Sequence, residues 1–192
     1  MILQLLHFQN LGQRFQDLKD PHENTLTWIF ETPELIRERE PQLSLTFPDW
    51  LRTGSGIFHI AGKPGSGKSM LMKYLCRHPC TQSLLAEWAG GRELVFAKFF
   101  FWRMGTDKDE KSLNGLIRGI LYEVLCKAPM LVKSLFPVTR AKIIQEPSRG
   151  RRGSDLLAAE IKDAFARLVS LSASAEESPS LGRIRICFFI DG

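Results

Sequence analysis

No run of apolar residues in this sequence approaches the ~20 that a membrane-spanning helix requires. The longest, VFA and FFFW around Lys98 and ICFFI at 186 to 190, stop well short of it, so no span of a bilayer is expected. The start, MILQLLHFQNLGQRF, lacks a basic n-region and a small-residue cleavage site, which argues against a secretory signal. Four cysteines, Cys76, Cys80, Cys126 and Cys187, match neither a disulfide scaffold nor a paired C-x2-C zinc site, and read as reduced thiols of a cytoplasmic protein. Cys76, His78 and Cys80 lie together, but further metal ligands would have to come from far away. His7, His22 and His59 form no cluster. Charge of one sign is also scarce: 26 Lys and Arg against 21 Asp and Glu leave a net +5, too mild to imply nucleic acid. What is present is ordinary for a folded chain. Of 192 residues, 44% are hydrophobic and 24% charged, with 10 Pro and 15 Gly, which excludes collagen-like, mucin-like and acidic-tail classes and leaves enough apolar material for a sizeable core.

Along the chain, Phe8, Leu11, Phe15 and Leu18 fall close to helical spacing and predict a leader helix with one apolar face, ended by KDPHEN. A second short helix is expected over Thr25 to Phe30 with Trp28 and Ile29 inward. A linker follows between Pro33 and Pro48, and Phe47, Trp50 and Leu51 resume the pattern. The expected division is a helical leader and linker over 1–50 and a main domain over 51–192. Within the main domain, strand and helix signals alternate, which points to an α/β sheet with crossovers. GIFHIA at 56–61 reads as a short strand, 68–77 as a helix, and LVFAKFFFW at 94–102 as a strand buried on both faces. Leu113, Leu116, Ile117, Ile120, Leu121 and Val124 predict a helix over 113–125 with Ser112 as its cap. The stretch 137–153, containing EPSRGRRG, reads as a mobile basic loop. Ser154 is the expected cap of a further helix carrying Leu157, Ile161, Phe165 and Leu168 on one face. SLSASAEESPS reads as a flexible connection within 170–182, and RIRICFFIDG as a last strand ending at Ile190, Asp191 and Gly192.

Residues 62 to 69, GKPGSGKS, fit the G-x-x-x-x-G-K-[ST] pattern in full, between a predicted strand and a predicted helix. The residue types suit a phosphate tail, which needs many donors converging on a small volume. Gly62, Gly65 and Gly67 let the backbone curl with its N–H groups inward, and the helix N-terminus adds its positive end. Lys63, Pro64, Ser66 and Met70 complete the cradle, Pro64 stiffening it. Lys68 supplies a point charge for the β- and γ-phosphates, and the Ser69 hydroxyl is a hard oxygen suited to Mg²⁺. Asp191, at the C-terminal tip of an apolar strand, is the expected second metal-side residue, against the plainer reading of a strand ending in an Asp-Gly turn. Glu87, Glu93, Asp107, Asp109 and Glu110 lie on or near connections, but no spacing ties one of them to a reacting phosphate. Trp28, Trp50, Trp88 and Trp102 sit beside apolar neighbours and read as core. Arg103, just past the second strand, is placed either to reach a phosphate or, as the plainer reading, to cap a surface turn, and Arg149, Arg151 and Arg152 read as a solvated loop without the aromatic interleaving of a nucleic-acid contact.

Three stretches then carry a family likeness: GIFHIAGKPGSGKSMLMKYL, KFFFWRMGTDKDEKSLNGLIRGILYEVL and ICFFIDG. They resemble the NACHT-type signal-transducing NTPases, specifically the fungal STAND (NLR-like) group whose N-terminal region is called nephrocystin-like. Thr25 to Ile29 and Phe47 to Leu51 are similar to the segments that precede that domain, and the resemblance covers about residues 20 to 192. It implies a P-loop NTPase three-layer sandwich and a switch in which ADP holds a closed form and ATP opens it for assembly and signalling. By it, Lys68 and Ser69 match the Walker A lysine and magnesium-binding hydroxyl, and Asp191 the first acid of the Walker B strand. The implied cofactors are ATP or ADP and Mg²⁺, and the implied partners are proteins or further copies engaged through regions outside this sequence.

The sequence departs from the family pattern by stopping at Asp191-Gly192, before the acidic pair, arginine sensor, lid and repeats that follow in the family. The expectation is therefore an incomplete NTPase fold, a fragment in which 56–61 lacks a ladder partner and hydrolysis is incomplete. Two other classes remain open on the residues: another P-loop enzyme, such as a small-molecule kinase or a nucleic-acid-remodelling ATPase, and a non-enzymatic interaction fragment with a vestigial loop.

Overall fold

In the computed structural model, residues 1–22, 25–31, 33–39, 45–102, 104–105, 108–145, 150–173 and 184–192 are described. Their centre is a parallel pair of strands, β1 (Glu93–Phe100) and β2 (Ile184–Asp191), in register from Glu93 opposite Ile184 to Phe100 opposite Asp191. Both segments are nearly continuous apolar runs, and the structure covers both faces, as parallel sheets require. Successive residues point to opposite faces. Val95 and Ala97 of β1 therefore enter one cluster, while Phe96 and Phe100 enter the other.

Helices build the two layers. Before β1 come α1 (Ile2–Leu6), α2 (Gln13–Asp17), a 3-10 turn at Thr27–Phe30, α3 (Pro33–Arg39), α4 (Phe47–Thr53), α5 (Lys68–Arg77) and α6 (Pro79–Ala89). After it come α7 (Leu113–Lys127), α8 (Val132–Leu135), α9 (Pro137–Gln145) and α10 (Gly150–Ala173). On one face, Ile120, Leu121 and Val124 of α7 pack with Leu6 of α1 and Leu168 of α10. On the other, Leu75 of α5, Leu85 of α6 and Leu51 of α4 pack against Phe96 and Phe189. Each such side chain, fully buried, contributes about 1.5–3 kcal/mol. The expectation of a mixed α/β fold holds, and leader and linker residues enter both clusters, Ile2 and Leu6 in the first and Ile29 and Phe47 in the second.

Local chemistry sets the helix ends. The Gly115 N–H donates to Ser112 Oγ at 3.0 Å, so Ser112 caps α7 as its spacing predicts. The Asp49 N–H donates to Thr46 Oγ1, and Pro48 sits in the first turn of α4. Gly90, with φ +59°, closes α6 in the left-handed conformation that glycine adopts without cost. Trp88 ties three elements together: its Nε1 donates to the Gly54 carbonyl beyond α4, while the Arg185 guanidinium of β2 lies 4.8 Å over its ring.

Several expectations are corrected. The leader helix is two short helices, because Asn10 and Gly12 take φ of +63° and +83° and turn the chain between them. Trp28 is 43% exposed rather than inward, although Ile29 is buried. The linker after Pro33 includes α3, and 137–153 is not a basic loop in its first part but α9, whose Val138 and Thr139 N–H groups donate to the Glu160 carboxylate at 3.0 and 2.9 Å. The following helix starts at Gly150, so Ser154 lies inside α10 instead of capping it, and the same helix takes in 170–173 of the expected flexible connection. The rest of that connection, together with Arg103, Asp107, Arg149 and the side chains of Arg151, Arg152 and Leu157, lies outside the described residues.

The expected strand at 56–61 is the largest correction, since these residues form no ladder with any described strand. A strand is stabilised by its partners' hydrogen bonds, and here Ile57 is 93% exposed. Ile57, Phe58 and Ile60 instead line an apolar cavity of about 490 Å³, whose other walls include Ile186, Phe188 and Ile190 of β2.

Candidate functional site

The loop Gly62–Ser69 joins this unpaired segment to α5 at the C-terminal edge of the sheet. Gly65 and Gly67 have φ of +79° and +86°, a region that side chains oppose, and so the curl depends on glycine at both positions. At Gly62 space is tight: a Cβ there would lie 2.9 Å from Ser66 Oγ, which would have to rotate away. The Ser66 N–H donates to the Lys63 carbonyl at 3.2 Å, and α5 takes its first internal bond from the Leu71 N–H to the Gly67 carbonyl at 2.8 Å. The N–H groups of Lys68, Ser69 and Met70 therefore precede any helical acceptor and remain available at the positive end of α5.

Lys68 crosses this loop. Its Nζ donates to the carbonyls of Gly62 and Lys63 at 2.8 and 2.9 Å. Residues 62 to 67 are exposed, including Pro64, so the backbone donors and the ammonium share an open face.

Asp191 ends β2 beside them. Its main-chain carbonyl accepts from the Phe101 N–H at 2.8 Å. Asp191 is buried, and burial pushes its carboxyl above the usual aspartate value; the Ser69 side chain and the charges of Arg14 and Lys68 act in the opposite direction. Ser69 and Asp191, 122 positions apart in sequence, thus come close enough for one to act on the other. That donor set, hard oxygens beside a ring of N–H groups and an ammonium, fits a magnesium-bound polyphosphate.

Three of the other acids lie elsewhere. Glu87 lies 3.6 Å from the Arg52 guanidinium, Asp109 pairs with Arg118, and Glu93 stands at the opposite end of β1 from Asp191. No group of three metal-ligating side chains is found among the described residues. Cys76 is buried, and His78 is occupied otherwise: its Nδ1 accepts from the Cys80 N–H, and its ring stacks on Phe30 at 4.3 Å.

Two residues near the site have no signal in the sequence pattern. Lys73 of α5 is buried; it donates to the Leu18 carbonyl and pairs with Asp20 at 3.1 Å, holding the segment after α2 against the helix that begins at the loop. Arg14 of α2 contributes its charge to Asp191. A lysine inside MLMKYL and an arginine in a polar leader both read as surface residues until tertiary packing is known.

Among the described residues, no helix is long and apolar enough to cross a membrane. A family model described as nephrocystin 3, N-terminal, matches residues 24–175, which takes in the loop, α5, β1 and α7 and ends before β2. Neither a curated protein nor a solved structure matches the chain. Because the matched residues make up more than half of it, the chain belongs to the nephrocystin 3, N-terminal family.

Proposed function

We propose that this chain binds ATP and ADP with Mg²⁺, as the N-terminal part of a NACHT-type NTPase switch of the fungal STAND kind, built on a P-loop sandwich. The observation that carries the reading is a glycine-curled phosphate loop that opens α5, with the strand-end carboxylate of Asp191 close enough for Ser69 and Lys68 to act on its ionisation. In this reading the first-turn N–H groups of α5 and those of the loop bind the phosphate oxygens. Lys68 exchanges the carbonyls of Gly62 and Lys63 for the β- and γ-phosphates, so its charge is already held over the loop before ligand arrives. Ser69 and Asp191 would hold Mg²⁺, which would supply charge neutralisation for the polyphosphate. Asp191 must be ionised to do so, and the cations around it favour that form against its burial.

The reading is one of binding and conformational signalling in the cytoplasm, with assembly through protein partners or further copies. Four free thiols are consistent with a reducing compartment. The test is a titration of the folded, monodisperse chain with fluorescent ATP and ADP analogues in Mg²⁺, beside Lys68→Ala. Saturable micromolar binding that weakens at least about tenfold in the variant is expected. A folded chain that binds neither nucleotide overturns the proposal.

A further inference from the structure

The stretch from Asn10 to Asp20 lies over α5 and the end of β1, between two anchors. Before it, Leu6 is fully buried in one cluster, and after it Ile29 is buried in the other. Between them α2 buries no residue, and Phe15 and Leu18 are only half-buried. Charge holds this stretch in place. Lys73 of α5 donates to the Leu18 carbonyl and pairs with the Asp20 carboxylate at 3.1 Å, and Arg77, one turn further along α5, reaches the same carboxylate at 3.0 Å. The Phe15 ring meets Phe100 edge-on at 5.1 Å, with Lys98 Nζ 4.9 Å and the Arg77 guanidinium 5.3 Å from its centre. The central ion pair is lopsided: the Lys73 side chain is 3% exposed and that of Asp20 64%. Closure therefore takes an ammonium out of water, while its counter-charge stays within reach of dissolved ions. Desolvation opposes closure, and the attraction that offsets it is open to screening.

We propose that residues 10–20 form an ionic strap, clasped by Lys73, Asp20 and Arg77, that competing ions open to uncover a cationic face of Lys73, Arg77 and Lys98. The strap presents one ring and one carboxylate to three cations, and it is the resident occupant of their face. Opening returns Lys73 to water and breaks no strand pairing, while Leu6 and Ile29 keep both ends of the strap attached. The turn at Asn10 and Gly12, with φ of +63° and +83°, lies at one of those ends. The inference is independent of the nucleotide reading, because each of its contacts lies outside the loop.

Hydrogen–deuterium exchange of the full chain, read by mass spectrometry with α7 as internal reference, tests this at about 0.1 and about 1 M NaCl, between which the screening length falls from about 10 to about 3 Å. A helix of five residues does not persist alone, so opening exposes the amides of α2. The wild-type strap is expected to exchange at least about tenfold faster at the higher salt, with α7 unchanged. Asp20→Asn is expected to exchange fast at both concentrations. Lys73→Met, an apolar chain of similar length in place of the buried ammonium, is expected to exchange slowly and to lose most of the salt response. Thermal unfolding confirms that each variant is folded. A strap that exchanges only at the rate of α7, or without dependence on salt, overturns the proposal. So does an Asp20→Asn chain that exchanges like wild type, or a Lys73→Met chain that keeps the full response to salt.

Discussion

Ser69, in the first turn of α5, acts on the carboxyl of Asp191, the last residue of β2, and lowers it against the effect of its burial. Removing the hydroxyl takes away that influence and, in the proposed site, one hard oxygen. Ser69→Ala is expected to keep the fold, to weaken Mg-dependent nucleotide binding by at least about tenfold, and to have much less effect on binding measured in EDTA. Calorimetric titration with and without metal checks this.

Asp191 also fixes a dependence on pH. Burial raises its carboxyl above the usual value of 3.8, so the folded chain favours the neutral acid. The stability this contributes is full below the pH at which the unfolded carboxyl titrates, and it is lost as pH rises through the higher folded value. Asp191→Asn is therefore expected to unfold at a higher temperature than wild type at pH 7 without nucleotide, and at a similar temperature at pH 3. Thermal scans at the two pH values read the difference.

Two glycines of α7 rank by what stands opposite them. A Cβ on Gly119 would lie 2.6 Å from the ring of Phe99, whereas one on Gly115 would fall 1.7 Å from the main-chain carbonyl oxygen of Asp109. A ring can shift more cheaply than backbone. Gly119→Ala is expected to cost about 1–3 kcal/mol, less the ~1 kcal/mol that alanine returns in helix propensity, and Gly115→Ala to cost more. Denaturant titration gives the order; equal effects would refute it.

Burial separates the four thiols into two pairs. Cys76 and Cys187 are buried, and burial pushes each up to about 12, while Cys80 and Cys126 are exposed. Because the thiolate is the reacting form, maleimide at pH 7 is expected to modify Cys80 and Cys126 in the native chain and all four in denaturant. Peptide mass spectrometry identifies the sites.

The parts legible in the sequence were those whose pattern is contiguous. LVFAKFFFW and IRICFFID carry their own strand signal, and the α7 apolar spacing and its Ser112 cap lie within one short stretch. The glycine-lysine-serine loop is likewise contiguous in the sequence, and Asp191 ends a strand whose apolar run is visible on its own. Remote partners decided the rest. The N-terminus of α9 is capped by Glu160, 21 positions beyond Thr139, so its own low apolar contrast made it look like a loop. Phe58 and Ile60 have strand-like composition but no neighbouring ladder, and composition alone does not supply one. In the leader, Phe8 is buried and Phe15 and Leu18 pack at the edge of a cluster, so their spacing looked continuous across the break that Asn10 and Gly12 impose. Lys73 was hidden because its burial depends on the Leu18 carbonyl, 55 positions away.

The parallel pairing of β1 with β2 also orders events during synthesis. Residues 93–100 leave the ribosome more than eighty residues before 184–191, yet Ile184 belongs to one hydrophobic cluster and Cys187 and Phe189 to the other. Until the later strand arrives, neither cluster can close, and Phe96 and Phe100 wait without their pairing partners. A contact made at such long range is intrinsically slow to form. The nascent chain therefore passes through an interval in which the aromatic surface of the earlier strand stays open until the later one is made.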